Sequence, residues 1–231
     1  MARIVAFVVM LMLPGLALAG AWPRDEAGVF LSFSAEKDGA GNRYTGLYGE
    51  YGLTARRTLG FELGHTKGEH SLLIWVQRAI GDDAAHNRWA VSAGGGAIHR
   101  DGRWLPVGQA GASWGRGFQG IMQGGWLAGD SRIRVTGRVR EVWEIAADGG
   151  AYLTPESEAK LDLTLGLRVM AGLMVINQLR FEYRDDTGSA SKLATSVVRD
   201  IYGPAKIEFG AIVPVAGRGE RAVKIGTWFE F

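Results

Sequence analysis

The chain has 231 residues, and its 26 Lys and Arg nearly balance its 24 Asp and Glu, so the formal net charge is +2 at pH 7. This balance argues against a nucleic-acid partner, which would need a basic excess. The chain has no cysteine and 35 glycines. Disulfides therefore cannot hold the fold, and glycine at about twice its usual share of roughly 7% favours tight bends and close packing between strands.

The first 19 residues have the features of a secretory leader. Arg3 precedes an uninterrupted apolar stretch at residues 4–13, and the small-residue site Ala17-Leu18-Ala19 follows. A charged start, an apolar core and an A-x-A site predict cleavage after Ala19. A membrane anchor is the alternative, but the apolar stretch is shorter than the roughly 20 residues that a spanning helix needs. We therefore predict two parts: a signal peptide at 1–19 and one all-β domain at 20–231.

Beyond residue 19, short stretches of alternating apolar and polar residues are separated by turn residues. The clearest predicted strand is 160–170, where every second residue from Leu161 to Val169 is apolar; a helix would scatter these side chains around its circumference. The strand at 71–80 is apolar on both faces, so its orientation stays open. Asn177 interrupts the apolar face of another strand, which either a bulge or a position near the membrane interface would explain. In chain order, the predicted strands span residues 29–36, 45–51, 59–64, 71–80, 88–99, 104–114, 124–138, 160–170, 173–184, 192–201, 206–213 and 222–231.

The last ten residues carry a resemblance to a known class of protein. Phe231, Phe229, Ile225 and Val223 share one face with Thr227, and the opposite face includes Glu230 and Lys224. A chain that ends in this way resembles Gram-negative outer-membrane β-barrel proteins, in which the C-terminal strand closes the barrel. The resemblance implies an all-β, transmembrane antiparallel up-and-down β-barrel in the outer membrane, and we count twelve strands. A closed barrel satisfies every backbone hydrogen bond internally, as hydrocarbon requires. A soluble β-sandwich or lipocalin-like barrel is the alternative.

The same resemblance implies the surroundings of the chain. It implies contact with outer-membrane lipid and lipopolysaccharide, escort by periplasmic chaperones, and insertion by the barrel-assembly machinery, which reads the C-terminal strand. An even strand count puts both termini at one end, which we expect to be periplasmic. The longest outer loop is then predicted at residues 139–157. Aromatic residues at strand ends fit the two interface girdles of such barrels: Tyr51, Trp89, Trp114, Trp126, Tyr202, Phe229 and Phe231 at the periplasmic rim, and Tyr44, Trp104 and Tyr183 at the outer rim. Of these, Trp126 falls on the inward face.

The inward face of the predicted barrel is charged. Charges of both signs in an interior must be either hydrated or paired, because an unpaired dry charge costs several kcal/mol. Hydrated groups favour a narrow passive channel for small polar or ionic solutes. Paired groups favour a closed barrel with a structural, adhesion or binding role through its outer loops. The candidate lumen-facing residues are Glu36, Glu50, Glu62, Asp130, Arg132, Arg134, Lys160, Asp162, Arg168, Arg180, Glu182 and Arg184.

Motifs for other chemistry are weak. The G-x-G-x-x-G match at residues 115–120 lacks a following helix, so we interpret it as a periplasmic turn rather than a dinucleotide site. Gly94-Gly95-Gly96 indicates a bend or a place where a plug approaches the wall. A lipid-modifying enzyme is a minor alternative, because His65-Thr66, His70-Ser71, Ser113 and Ser131 offer suitable residue types. His65, His70 and His99 are expected at the outer rim, where they could converge on a metal, but no Cys or acidic residue lies at ligand spacing, so we interpret them as solvated loop residues. We therefore predict no cofactor, metal or catalytic residues.

Overall fold

A computed structural model describes residues 20–142 and 150–231, which form a closed barrel of twelve antiparallel strands. Each strand pairs with its neighbours in sequence, and the last strand pairs with the first, with Leu31 opposite Phe229. The predicted leader lies outside the described residues. The strands are β1 (Val29–Asp38), β2 (Arg43–Thr54), β3 (Arg57–Thr66), β4 (Glu69–Ile80), β5 (Asn87–Arg100), β6 (Arg103–Phe118), β7 (Gly125–Val142), β8 (Gly150–Met170), β9 (Leu173–Arg184), β10 (Gly188–Tyr202), β11 (Ala205–Ala216) and β12 (Ala222–Glu230).

The predicted all-β fold, antiparallel pairing and strand count are therefore confirmed. We call the end of the barrel that holds Val29 and Glu230 the terminal end, and the opposite end the loop end. Within residues 20–142 and 150–231, the structure contains no helix that is long and apolar enough to cross a membrane.

The outer surface of the barrel is apolar. Side chains on one parity of each strand are largely exposed, including Ile74 on β4, Leu163 on β8 and Phe209 on β11. This is the alternation of a sheet whose outer face contacts lipid. Strand β4, whose orientation the sequence left open, follows the same rule: its even-numbered residues point outward, whereas Leu73 and Trp75 are buried inside the barrel.

Two loop predictions were wrong. Residues 139–157 are not one long loop, because β7 and β8 stay paired as far as Val142 opposite Gly150. The apolar alternation ends where strands leave the bilayer, since only lipid contact demands it, although the backbone pairing continues. Residues 115–120 are not a turn either: β6 continues to Phe118, and the connection to β7 spans residues 119–124.

The polar break at Asn177 is not a bulge. The register of β9 is continuous past Asn177 on both sides. The Thr195 hydroxyl of β10 donates a hydrogen bond to Asn177 Oδ1 at 2.9 Å. A polar pair is tolerated on the outer face because the two side chains satisfy each other.

Aromatic side chains surround both ends of the barrel, with one exception to the prediction. Trp104 at the loop end and Tyr202 and Phe231 at the terminal end are strongly exposed. Tyr44, however, does not belong to the outer girdle. Its even parity on β2 places its ring inside the barrel, beside the positions of Gly46 and Gly64.

Glycines make room for tryptophans inside the barrel. A Cβ atom added at Gly60 would overlap the indole ring of Trp75, and one added at Gly166 would overlap the ring of Trp126. Gly94 also faces Trp75 across the β4–β5 pair. A Cβ atom added at Gly94 would overlap the backbone of Ile74 and Trp75, so this glycine permits a close approach of β4 and β5. The bend or plug contact predicted for the glycine run stays a prediction.

Candidate functional site

The first part of the N-terminal segment (residues 20–28), as far as Arg24, lies inside the terminal end of the barrel, whereas residues 25–27 are exposed. Ala21 is almost fully buried. The side-chain amide of Gln77 donates to the Gly20 carbonyl at 2.5 Å, and the Ala27 N–H donates to the Gly52 carbonyl at 2.9 Å. The segment has no periodic pattern, so the sequence did not indicate its position. Trp22 packs against a cluster of buried wall residues: Trp126, Ala128, Met174 and Val198.

Arg24 is the main polar anchor of this segment. Its Nε lies 2.5 Å from Glu50 Oε2 on β2, and its Nη1 lies 2.9 Å from Glu230 Oε1 on β12. The guanidinium carbon lies 4.4 Å from the centroid of the Phe30 ring on β1. Planar guanidinium groups suit such paired and stacked sites. One side chain thus joins the three strands around the seam where the barrel closes.

A row of aromatic rings continues from this anchor along the inner wall. The Phe30 ring contacts Trp228 edge-on at 5.9 Å and Tyr48 at 6.2 Å, and Tyr48 lies 5.5 Å from Trp75. The Tyr48 hydroxyl donates to Glu50 Oε1 at 2.5 Å. The edge-to-face geometry of the two Phe30 contacts is favourable for aromatic pairs. The row and the N-terminal segment together fill the terminal end of the lumen.

Ion pairs cross the lumen farther from the terminal end. Arg180 on β9 lies 3.6 Å from Glu36 on β1, and Arg132 on β7 lies 3.3 Å from Glu62 on β3. These strands are not neighbours in the barrel. Side chains of non-neighbouring strands can meet only through the interior, so the pairs span the lumen. The acidic wall of the first strands thereby faces the basic wall of β7 and β9.

A second charged network lies at the loop end. Arg100 on β5 binds Glu69 at 2.7 Å and Glu156 on β8 at 3.2 Å. Arg184 on β9 also reaches Glu156, at 3.6 Å, and Glu158, at 3.8 Å. Shared carboxylates of this kind hold several strands together around the mouth. Glu158 is further paired with Arg134 at 3.6 Å and with Lys160 at 3.0 Å.

The predicted lumen candidates all lie on the inward parity of their strands, in different surroundings. The pairs that cross the lumen are formed by Glu36, Glu62, Arg132 and Arg180. The loop-end network includes Arg134, Lys160, Glu182 and Arg184. Of the remaining candidates, Glu50 binds Arg24, Asp130 and Asp162 line a cavity, and Arg168 lies over the Trp126 ring. The prediction missed Arg24, because a segment before the first strand has no parity. It also missed Glu69 and Arg100, which lie at strand ends, and Glu156 and Glu158, which lie in the part of β8 before the predicted strand start at residue 160.

Two adjoining cavities occupy the lumen. The central cavity has a volume of about 360 Å³ and is bounded toward the terminal end by Gly20 and Arg24. The vestibule, at the loop end, has a volume of about 580 Å³ and is lined by Glu36, Tyr44 and Lys192 among others. Arg180 lines both cavities, so the Arg180–Glu36 pair stands at their junction.

Asp130 and Asp162 face each other in the central cavity, at directly opposed positions of β7 and β8. Like charges at such positions repel each other. The five basic side chains of the same cavity are paired with other carboxylates: Arg24 with Glu50, Arg132 with Glu62, Lys160 with Glu158, Arg180 with Glu36, and Lys224 with Glu208.

Three histidines form a row on the outward face at the loop end. His65, His70 and His99 lie in β3, β4 and β5 rather than in loops, so that expectation was wrong. The Nδ1 atoms of His65 and His70 are 2.9 Å apart, and His99 stacks near Trp104. No cluster of three metal-binding side chains occurs among the residues that the structure describes.

The residues weighed for catalysis do not form a Ser–His pair within the described part of the chain. His65 and Thr66, like His70 and Ser71, are consecutive in a strand and therefore point to opposite faces. Ser131 lies on the outer face, where its hydroxyl donates to the Ala112 carbonyl at 2.9 Å.

Comparison with known proteins finds the same fold in solved structures. The NanC porin in a rhombohedral crystal form is 12% identical, with a TM-score of 0.60, and covers 87% of this chain and 100% of its own. A KdgM porin is 7% identical, with a TM-score of 0.56, and covers 87% of this chain and 99% of its own. The enzyme LpxR from Salmonella typhimurium is 10% identical, with a TM-score of 0.50, and covers 87% of this chain and 100% of its own.

No family model matches the chain, and no curated protein matches it. At these identities, the likeness to solved structures concerns the fold. The closed ring of twelve antiparallel strands is the feature that these structures share with the chain. The chain folds as a closed, twelve-stranded antiparallel β-barrel, and it shares this fold with the NanC and KdgM porins.

Proposed function

We propose that this barrel is a narrow channel for small polar or ionic solutes. The observation that carries the proposal is the pair of adjoining cavities, which runs from the loop end to the middle of the lumen and is lined by charged groups of both signs. The fold shared with the NanC and KdgM porins agrees with it. One KdgM porin structure is a complex with an oligogalacturonate. The mixed charge of the present lumen fits small polar or ionic solutes rather than a single charge class.

The proposed path begins in the vestibule at the loop end and passes the Arg180–Glu36 pair. It then enters the central cavity and meets the N-terminal segment at Gly20 and Arg24. Fixed charges on a pore wall set the electrostatic cost of passage for each ion. Arg180 lies where the two cavities join, so it is the side chain whose charge we expect to influence permeation most.

Conductance in planar lipid bilayers tests this proposal. We expect Arg180→Glu to shift the K⁺/Cl⁻ permeability ratio toward K⁺. A charge about 4 Å from a passing ion changes its energy by about 1 kcal/mol even in water, so the shift should be at least roughly fivefold. The reversal potential in a KCl gradient measures this ratio.

Lys37→Glu is the matched control for this experiment, because it makes the same charge change next to Glu36 but on the exposed outer face. It should leave the permeability ratio unchanged. Equal shifts in both variants, or a wild-type protein that passes no current, would contradict the channel proposal.

A closed barrel with a structural or binding role is the second candidate, and a specific observation favours it. The ion pairs that span the lumen tie opposite walls together, and the N-terminal segment fills the terminal end. In this case Arg180→Glu would lower the thermal stability without creating a current. The paired extension of β7 and β8 toward Val142 and Gly150 would then carry the binding surface.

We further propose the route by which the chain reaches its site. Residues 1–19 act as a cleaved leader and residues 20–231 form the barrel domain. Periplasmic chaperones escort the chain, the barrel-assembly machinery reads β12 and its final Phe231, and the inserted barrel contacts lipopolysaccharide. The apolar outer face agrees with the lipid environment. Deletion of Phe231 should reduce the amount of heat-modifiable barrel in purified outer membranes, whereas the level of precursor should not fall.

A further inference from the structure

Gly20, the residue that follows the predicted cleavage site, lies against a carboxylate in the lumen. A Cβ atom at Gly20 would overlap the carboxylate of Asp130. The Gly20 nitrogen is bonded to the same Cα, so standard bond lengths place it within roughly 4 Å of that carboxylate. The Gly20 carbonyl is held by Gln77 on β4. The backbone at this residue is therefore fixed in position by two walls of the barrel.

Asp130, whose carboxylate lies beside Gly20, forms no salt bridge among the residues that the structure describes, although it is hydrogen-bonded to Ser113 and Arg132 lies near enough to attract it. Asp130 faces Asp162, and the nearby Arg132, Lys160 and Arg180 form their ion pairs with other carboxylates. Two opposed carboxylates in a partly buried cavity favour the arrival of a positive charge.

We propose that leader cleavage creates this cation. Hydrolysis of the Ala19–Gly20 peptide bond by a leader peptidase adds one water molecule: Ala19 leaves as a carboxylate, and Gly20 keeps its nitrogen as an ammonium group. The new α-ammonium binds Asp130, and the N-terminal segment is thereby held in the terminal end of the lumen. This step rests on the proposed leader and not on the channel proposal, because a closed barrel would use the same contact.

The position of the cleavage site is then part of the fold. A mature chain that began one residue earlier would carry its ammonium about 3.8 Å farther along the chain, away from Asp130. Arg24, Trp22 and Ala27 anchor the rest of the segment, so it cannot slide to compensate.

The first experiment is the intact mass of the barrel purified from outer membranes. We expect the mass of residues 20–231. A mature chain that begins at another residue would overturn the proposal.

The second experiment is a double-mutant cycle in the mature protein. One variant is Asp130→Asn, and the other inserts one alanine between Ala19 and Gly20, with its own start verified by mass. Each should lower the apparent melting temperature of the barrel by roughly 4 °C or more. The combined variant should be no less stable than the less stable single variant, because both changes remove one contact.

Asp200→Asn is the matched control for the cycle, because Asp200 pairs with Lys206 at 2.9 Å and forms no part of the lumen cavities. Its effect should add to that of the insertion. Additive effects of Asp130→Asn and the insertion, or no loss of stability from the insertion, would overturn the proposal. The insertion leaves every strand residue unchanged, so the test does not depend on the folding of a substituted wall.

Discussion

Two regions of the same lumen are built in different ways. Around the N-terminal segment the interior is packed: Trp22 contacts buried wall residues, and Arg24 is held by two carboxylates on both sides of β1. Around Arg132 and Arg180 the interior is open, with cavities between partly exposed ion pairs. The lipid imposes one rule on the outer face of every strand, but it imposes none on the inner face. The packing of the inner face therefore depends on what fills the lumen. The N-terminal segment fills one region, and the side chains there are packed.

The strongest test of this contrast removes an aromatic ring from each region. Trp126→Ala should lower the free energy of unfolding by about 3–5 kcal/mol, because the ring is almost fully buried and its loss leaves a cavity. Tyr44→Ala should cost less than half as much, because Tyr44 borders the vestibule and water can replace its ring. Urea unfolding in lipid vesicles measures both values. Equal losses would mean that the two regions are packed alike.

A smaller effect is expected from filling the space that a glycine leaves for a tryptophan. Gly60→Ala places a methyl group against the Trp75 ring and should cost about 1–3 kcal/mol, because a packed ring cannot move aside freely. Gly108→Ala is the control, since no atom lies within 4 Å of its added Cβ. The same unfolding experiment compares the two variants, and a neutral Gly60→Ala would show that the ring has room to move.

The smallest expected difference concerns the ion pairs themselves. A double-mutant cycle for Arg24 and Glu50 should give a coupling energy of about 1–2 kcal/mol, because both side chains are nearly buried. The cycle for Arg132 and Glu62 should give about 0.5 kcal/mol or less, since both side chains are partly exposed. Raising the salt concentration to about 1 M should weaken only the second coupling. If the two energies were equal and equally sensitive to salt, the distinction between a packed and a hydrated region would fail.

Several predictions from the sequence failed for a common reason. Alternation identified the strands wherever lipid covers one face, as at Leu161–Val169, but it could not follow β7 and β8 beyond the bilayer. It also could not orient Leu73 and Trp75, because both faces of β4 are apolar there. Tyr44 was assigned to the girdle because it is an aromatic residue near a strand end, although it has the same inward parity as the predicted lumen residue Glu50.

The sequence by itself determined the frame of this protein: the all-β class, the antiparallel barrel, its twelve strands and the face of most charged residues. These properties follow from a local rule, in which neighbouring side chains alternate between lipid and lumen. The tertiary structure alone decided which charges meet. Glu36 and Arg180 are far apart in sequence and lie on strands that are not neighbours, so only closure of the barrel brings them within 3.6 Å. The place of the N-terminal segment was likewise decided by closure, because a segment without alternation can be located only by the interior that receives it.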